Sequence, residues 1–210
     1  MTQNESTDEI RKTIDKAIAM NLPGLMTDAM IEHACLFGNS PMIEPFEYGV
    51  KRPGVISYGL TSAGYDVRLG RKFKVVTDIF GGRMIDPKNI DPKCFHEIED
   101  DFCVIPPNSY VLGESVEFFR IPRNVAVICI GKSTYARCGI IVNVTPGEPE
   151  WEGRWTIEIS NSSPVPAKVY ANEGIMQCMF FRTAIPCHKS YKDKGGKYQG
   201  DQGMQHAKVD

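Results

Sequence analysis

From about Ile43 onward the chain is written in short alternating or apolar runs, each closed by Gly, Pro, Asn or Asp. Alternation with a period of two puts successive side chains on opposite faces of a strand, and such close punctuation leaves no room for the helical crossovers of βαβ units. The pattern predicts a sandwich or barrel of short strands. The candidate strands are Tyr65-Leu69, Lys72-Val76, Ser109-Leu112, Ser115-Phe119, Val125-Ile130, Ile140-Thr145, Arg154-Ser160, Ala167-Tyr170 and Gln177-Thr183. Loops such as Ile105-Pro106-Pro107-Asn108 and Asn161-Ser162-Ser163-Pro164 separate them.

The N-terminal region has a different texture. Ile10, Ile14, Ala17 and Ile18 recur at helical spacing after a cap at Thr7 or Asp8, and Asn21-Leu22-Pro23-Gly24 ends that helix. Thr27 is placed to cap a second helix carrying Met30, Ile31, Ala34 and Cys35, with Gly38-Asn39-Ser40-Pro41 as its stop. Both read as surface helices on a β body. At the other end, residues 190–200 mix lysines, tyrosines and glycines without hydrophobic periodicity, which on sequence alone favours disorder over a segment that closes on a ligand.

At 210 residues the chain can bury one substantial core, so a single β domain is expected. The formal net charge of -2 gives no whole-protein basic field to draw the chain onto nucleic acid or an anionic membrane, so any phosphate binding must be local. No apolar run approaches a bilayer span and the first residues are acidic and polar, which predicts a cytoplasmic protein. The seven cysteines are scattered, odd in number and often set in apolar runs such as Val127-Ile128-Cys129-Ile130, as reduced core thiols would be.

Two segments carry chemistry. Gly131-Lys132-Ser133-Thr134-Tyr135-Ala136-Arg137 brings a hydroxyl and two cations together. In a helical turn Ser133 and Arg137, four apart, share a face and would hold an oxyanion. Spacing alone favours a solvated turn with a capping serine. In Arg154-Trp155-Thr156-Ile157-Glu158-Ile159-Ser160, Trp155, Ile157 and Ile159 share one strand face and Thr156, Glu158 and Ser160 the other. The ordinary fate of such a glutamate is solvent. Partial burial beside the Trp151-Glu152-Gly153 turn would instead raise its pKa toward that of a proton shuttle. A zinc deaminase needs His-x-Glu and a later Pro-Cys-x-x-Cys to hold the metal and move protons, and neither pattern occurs.

Gly131 to Pro146, Glu148-Pro149-Glu150-Trp151-Glu152-Gly153, Pro166 to Gly174 and, upstream, Ser62-Ala63-Gly64-Tyr65-Asp66-Val67-Arg68 together resemble the signature segments of bacterial dCTP deaminases. The matching pieces run from about Met42 to about Gly200. The resemblance implies a mainly β, dUTPase-like distorted β-barrel or jelly roll (β-clip) with short N-terminal helices. It divides the chain into a helical extension (1–41), a β domain (42–189) and a tail that closes on the nucleotide (190–210). It also implies a homotrimer with active sites at subunit interfaces, hydrolysis of dCTP to dUTP and ammonia without zinc, and Mg²⁺ arriving with the triphosphate. Carried over by motif, Glu158, Ser133 and Arg137 take the catalytic positions. Lys132, Ser133, Thr134, Tyr135, Ala136 and Arg137 match the triphosphate segment, and Thr156, Ile157 and Glu158 match the nucleoside strand. Gln177, Tyr191, Lys197 and Gln202 match further substrate contacts. Thr145 matches a residue tied to feedback inhibition by dTTP, while Asp66 and Asp193 are marginal candidates for the magnesium.

Two departures stand out. The family has Gln four residues after the tail lysine, where this chain has Asp201 followed by Gln202; and Gly147 stands where relatives carry a larger residue, which predicts a loosened loop before Glu148. The alternatives are a bifunctional enzyme that carries dCTP through to dUMP and pyrophosphate, and a non-catalytic nucleotide-binding trimer. The Gly-Val-Ile-Asp type motif and the C-terminal Arg-Gly-x-x-Gly-Phe-Gly arm of trimeric dUTPases are fitted neither by Thr145-Pro146-Gly147-Glu148 nor by the Gly195-Gly196-Lys197-Tyr198 tail.

Overall fold

The computed structural model describes residues 3–37, 40–76 and 85–209. Helix α1 (Gln3–Ala19) leads through β1 (Gly24–Leu25) to α2 (Asp28–Leu36). The β body follows: β2 (Ile43–Glu44), β3 (Gly59–Thr61), β4 (Gly64–Val76), β5 (Phe95–Glu99), β6 (Phe102–Ile105), β7 (Ser109–Ser115), β8 (Phe118–Arg120) and β9 (Val125–Gly131). A single helical turn, α3 (Ser133–Ala136), precedes β10 (Ile140–Asn143), β11 (Glu152–Gly153), β12 (Thr156–Asn161), β13 (Ala167–Tyr170) and β14 (Gly174–Arg182).

Among the described residues the main sheet runs β1-β14-β4-β7-β12-β10, with β3 and β5 paired to β4 and β9 paired to β14. Two small sheets, β11-β8-β2 and β13-β6, cover it. The pairings are antiparallel, so the sheet curls on itself around one core, as the mainly β expectation requires. Fully buried Tyr65, Phe73, Phe119, Ile157, Ile159 and Phe180 fill that core. Each such side chain contributes roughly 1.5–3 kcal/mol by leaving water.

The departures from the expected elements have local causes. Tyr65-Leu69 and Lys72-Val76 are one strand, because Gly70 marks a close approach instead of a break: a Cβ there would lie 2.9 Å from Glu114 Cγ, and the β4–β7 register shifts between Leu69 and Phe73. The Ser115-Phe119 run is split between β7 and β8. The Ser115 hydroxyl donates to the Glu117 carbonyl (2.7 Å), and the buried Glu117 carboxylate accepts from Arg68 Nε (2.7 Å). Strands β5 and β6 had no alternation to announce them. Helix α1 begins at Gln3, ahead of Thr7 and Asp8, and its Ile10 is exposed. Helix α2 starts after Thr27 as expected and buries Met30, Ile31 and Cys35. Of its stop signal, Gly38 and Asn39 lie outside the described residues. No helix among the described residues is long and apolar enough to cross a membrane. The cysteines are all free thiols, with Cys35, Cys94, Cys103 and Cys178 buried.

Candidate functional site

Strand β12 builds one wall of a cavity of about 810 Å³. Its alternation is as the sequence predicts: Ile157 and Ile159 point into the core, while Thr156 and Glu158 face the other way and line the cavity. Glu158 pairs with Asn143 of β10 on one side and Leu112 of β7 on the other, so its backbone is fixed within the sheet. Burial pushes its carboxyl pKa up, and its Oε2 is buried without a hydrogen-bond partner. A buried acceptor left unmade costs on the order of 1–3 kcal/mol, which a ligand donor or water would relieve. The floor is aromatic. Trp151 and Trp155 stack at 4.1 Å between ring centroids, and Trp155 packs edge-on to Phe119.

Gly147 is part of this floor. It exchanges both backbone hydrogen bonds with Val127 at 2.9 Å, and a Cβ on it would meet Trp155 Cη2 at 2.7 Å. The expected loosening before Glu148 is therefore corrected: the glycine permits a tight contact with the indole.

The C-terminal segment forms the opposite wall and is folded against the body, contrary to the disorder its composition favours. Tyr191 N–H donates to Pro149 O (2.9 Å), the Tyr191 hydroxyl accepts from Tyr198 N–H (3.1 Å), and Trp151 Nε1 donates to Tyr198 O (3.0 Å). Gly200 N–H donates to Glu152 O, and Asp201 O accepts from Arg154 N–H. Further along, Gln205 N–H donates to the Thr156 hydroxyl (3.0 Å), and the His206 ring lies 4.9 Å from that of Phe95. Burial and the Lys74 ammonium hold the His206 pKa below its usual value.

The candidate residues fall into two groups. Glu158, Thr156, Tyr191 and Lys197 line the cavity together, as does Thr145. Lys132, Ser133, Thr134, Tyr135, Ala136, Arg137 and Gln177 do not. Ser133, Thr134 and Ala136 of α3 are exposed, as is Arg137 at its C-cap, whose Nη1 donates back to Ser133 O (3.1 Å). Lys132, read as a phosphate cation, is drawn inward to an ion pair with buried Asp66 and donates to Ser57 Oγ (3.3 Å). Tyr135 is buried, accepts from Tyr170 N–H (3.0 Å), and has its pKa pushed up to about 12 by burial. It anchors the turn from below. Gln177 Nε2 donates to the Thr61 hydroxyl (3.0 Å). Ile157 belongs to the core, and the exposed Gln202 donates to Gly200 O (3.3 Å).

Both marginal magnesium candidates have cationic partners: Asp66 has Lys132, and Asp193 has Arg123 at 2.6 Å. Among the described residues no group of three His, Cys, Asp or Glu side chains stands ready for a metal ion. The cavity also includes Glu148, Arg154, Asp201, Gln205 and His206. Arg154 shares strand parity with Thr156 and Glu158, a signal the sequence did offer. Nothing in the tail's composition pointed to Gln205 or His206.

The fold is similar to that of a solved 2′-deoxycytidine 5′-triphosphate deaminase from Agrobacterium tumefaciens. The likeness has a TM-score of 0.57 at 18% identity and covers 76% of this chain; the chain spans about half (48%) of that protein's length. Residues 30–183 match the family model described as dCTP deaminase-like, and the chain belongs to that family of enzymes. A relative from Gemmatimonas aurantiaca named dCTP deaminase is 60% identical over 163 residues, covering 78% of this chain and 88% of its own. Another of that name from Acidobacterium capsulatum is 56% identical over 180 residues, covering 86% and 96%.

Proposed function

We propose that the protein hydrolyses dCTP to dUTP and ammonia, with Glu158 as the proton shuttle. The observation that carries this reading is the Glu158 carboxyl on the cavity wall, raised in pKa by burial and with one oxygen unpartnered. Water adds to C4 of the cytosine while its first proton passes through the glutamate to N3; the proton of the new C4 hydroxyl then passes through the glutamate to the amino group, the C4–N4 bond breaks, and ammonia leaves. Atoms balance as dCTP plus water giving dUTP plus ammonia. On this reading Glu158 deprotonates the water and Ser133 stabilises the developing oxyanion, the work a zinc ion would otherwise do. The cytosolic product would feed dUMP and hence dTTP synthesis, and dTTP would compete where Thr145 lines the same cavity.

Ser133 and Arg137 act on this reading from a neighbouring subunit. Within one chain they lie on an exposed turn away from Glu158's cavity, flanked by exposed apolar Ile128 (46%) and Ile130 (53%) of β9 and Ile141 (56%) of β10. An apolar sheet face beside an exposed turn that carries Arg137 suits a contact between copies, and three copies would complete three composite sites. Mg²⁺ enters as part of the nucleotide, holding phosphate oxygens and waters, and needs few protein carboxylates.

The test is product analysis with dCTP and Mg²⁺ for the unaltered protein and for Glu158→Gln, with and without a zinc chelator. We expect dUTP and ammonia in equal amounts, insensitive to the chelator, and a loss of about 10²–10⁴-fold in turnover for the variant with dCTP binding kept. Near-normal turnover by Glu158→Gln would overturn the shuttle. Accumulation of dUMP and pyrophosphate would replace deamination alone with the bifunctional reaction, and binding without any product would make the chain a nucleotide-binding trimer.

A further inference from the structure

The cavity has two walls that come from separate parts of the chain, and one side chain outside the cavity joins them. Arg123, in the turn between β8 and β9, places Nη1 2.5 Å from Glu150 Oε2 and Nη2 2.6 Å from Asp193 Oδ2, and Nη2 also donates to His188 O at 3.1 Å. Glu150 belongs to the loop that carries Glu148 and Trp151 into the cavity; Asp193 and His188 belong to the base of the tail that carries in Tyr191 and Lys197. The Asp193 end is itself ordered: Asp193 Oδ2 accepts from Ser190 N–H (3.1 Å), and Asp193 N–H donates to the hydroxyl of buried Ser190 (3.1 Å).

We propose that Arg123 is a positioning residue for the nucleotide: its guanidinium fork latches the base of the tail to the Pro149–Glu150 loop and so sets the spacing between the two walls of the site. An isolated exposed ion pair contributes little, because water screens it and two long side chains must be ordered. Here one planar fork engages three acceptors on two segments, which is the arrangement that guanidinium geometry serves and an ammonium does not. Tail and loop are also joined by Lys194 with Glu148 (2.5 Å), Gln199 Nε2 to Glu150 O (3.0 Å), Tyr191 N–H to Pro149 O and Trp151 Nε1 to Tyr198 O, each a single-point contact. Arg123 is outside the cavity, so its effect on substrate must pass through Tyr191, Lys197, Glu148 and Trp151.

The inference rests on the proposed function only in that those wall residues meet the nucleotide, and the experiment separates the two. Arg123→Met, Arg123→Lys and Asp193→Asn are compared with the unaltered protein in trypsin cleavage of the tail lysines without nucleotide, in dCTP affinity from tryptophan fluorescence, and in turnover. Arg123→Met should speed tail cleavage and raise Kd and KM for dCTP about tenfold while kcat holds within about twofold. Arg123→Lys should recover part of this, and the double variant with Asp193→Asn should be no worse than Arg123→Met alone. Unchanged cleavage, fast cleavage with unchanged affinity, or a fall in kcat at constant KM would each overturn the latch. Absence of dCTP turnover by the unaltered protein, with cleavage and affinity shifting as stated, would instead defeat the deaminase reading and leave the latch standing.

Discussion

The strand that carries Glu158 and the turn that carries Ser133 and Arg137 show opposite ways of preparing side chains for one reaction. Glu158 is held by a sheet on both flanks, partly buried, and shifted in pKa. Ser133 and Arg137 stand in water on a four-residue helix, with the structural effort spent beneath them: Tyr135 is buried under the turn, and Lys132 is tied down to Asp66. A proton shuttle works best with a pKa near the working pH, and a single chain moves a carboxyl that way by burying it as it folds. Oxyanion binding needs cations that stay solvated until the ligand arrives, and an exposed turn meets that need at little cost in stability.

The sharpest way to break this comparison is to separate the halves. Glu158→Gln and Arg137→Met should each be inactive, yet trimers mixed from equal amounts of both should regain about a quarter of normal sites, since a composite site then draws its two halves from different copies. Activity of mixed, subunit-exchanged samples against each variant alone checks it. No recovery would place both halves in one chain and defeat the interfacial site.

The buried half can be strained at its floor. Gly147→Leu forces a side chain into the position of Trp155 Cη2. Overpacking of this kind costs roughly 1–3 kcal/mol, so the melting temperature should fall by several degrees, with Trp155 fluorescence altered. The exposed turn offers the contrast: Thr134→Ala, on a solvated side chain, should leave Tm unchanged. Equal effects at both places would erase the distinction.

How much of this was legible depended on range. The alternation through Thr156, Ile157 and Glu158 is a local signal, and the strand obeys it. The cap at Thr27 was also local, and α2 begins where it predicts. Lys132 was read as a phosphate cation because its partner, Asp66, is 66 positions away and nothing near either residue announces the pair. Composition alone favours disorder in the tail because it lacks apolar periodicity, and only the resemblance points to a tail that closes on the nucleotide. What holds it is a set of turns and side-chain bonds from Trp151, Tyr191 and Arg123, which leave no period in the sequence. Gly147 and Gly70 read as loosening or breaking residues, and both are close approaches, Gly70 to Glu114 of β7 and Gly147 to Trp155 and to Val127 of β9.

A smaller effect should appear in the pH profile. A general base must be ionised, so the acid limb of kcat/KM should lie above the ordinary glutamate value of about 4.3, in the direction that burial moves Glu158. A limb at or below that value would mean either that Glu158 is solvated in the working enzyme or that another group sets the limb.

The smallest effect is on stability, and it runs against function. A carboxyl whose folded pKa is raised favours the protonated form, so its contribution to stability is fully present below the unfolded value and is lost as pH rises through the folded one. At neutral pH the ionised Glu158 therefore weakens the fold, while its neutral form does not. Glu158→Gln, incapable of ionising, should match the unaltered protein in Tm near pH 4 and exceed it near pH 8. Calorimetry at the two pH values checks the sign. A variant less stable at both would show that the carboxylate is satisfied within the subunit, and the site would then lack the desolvated base that distinguishes it from the solvated turn.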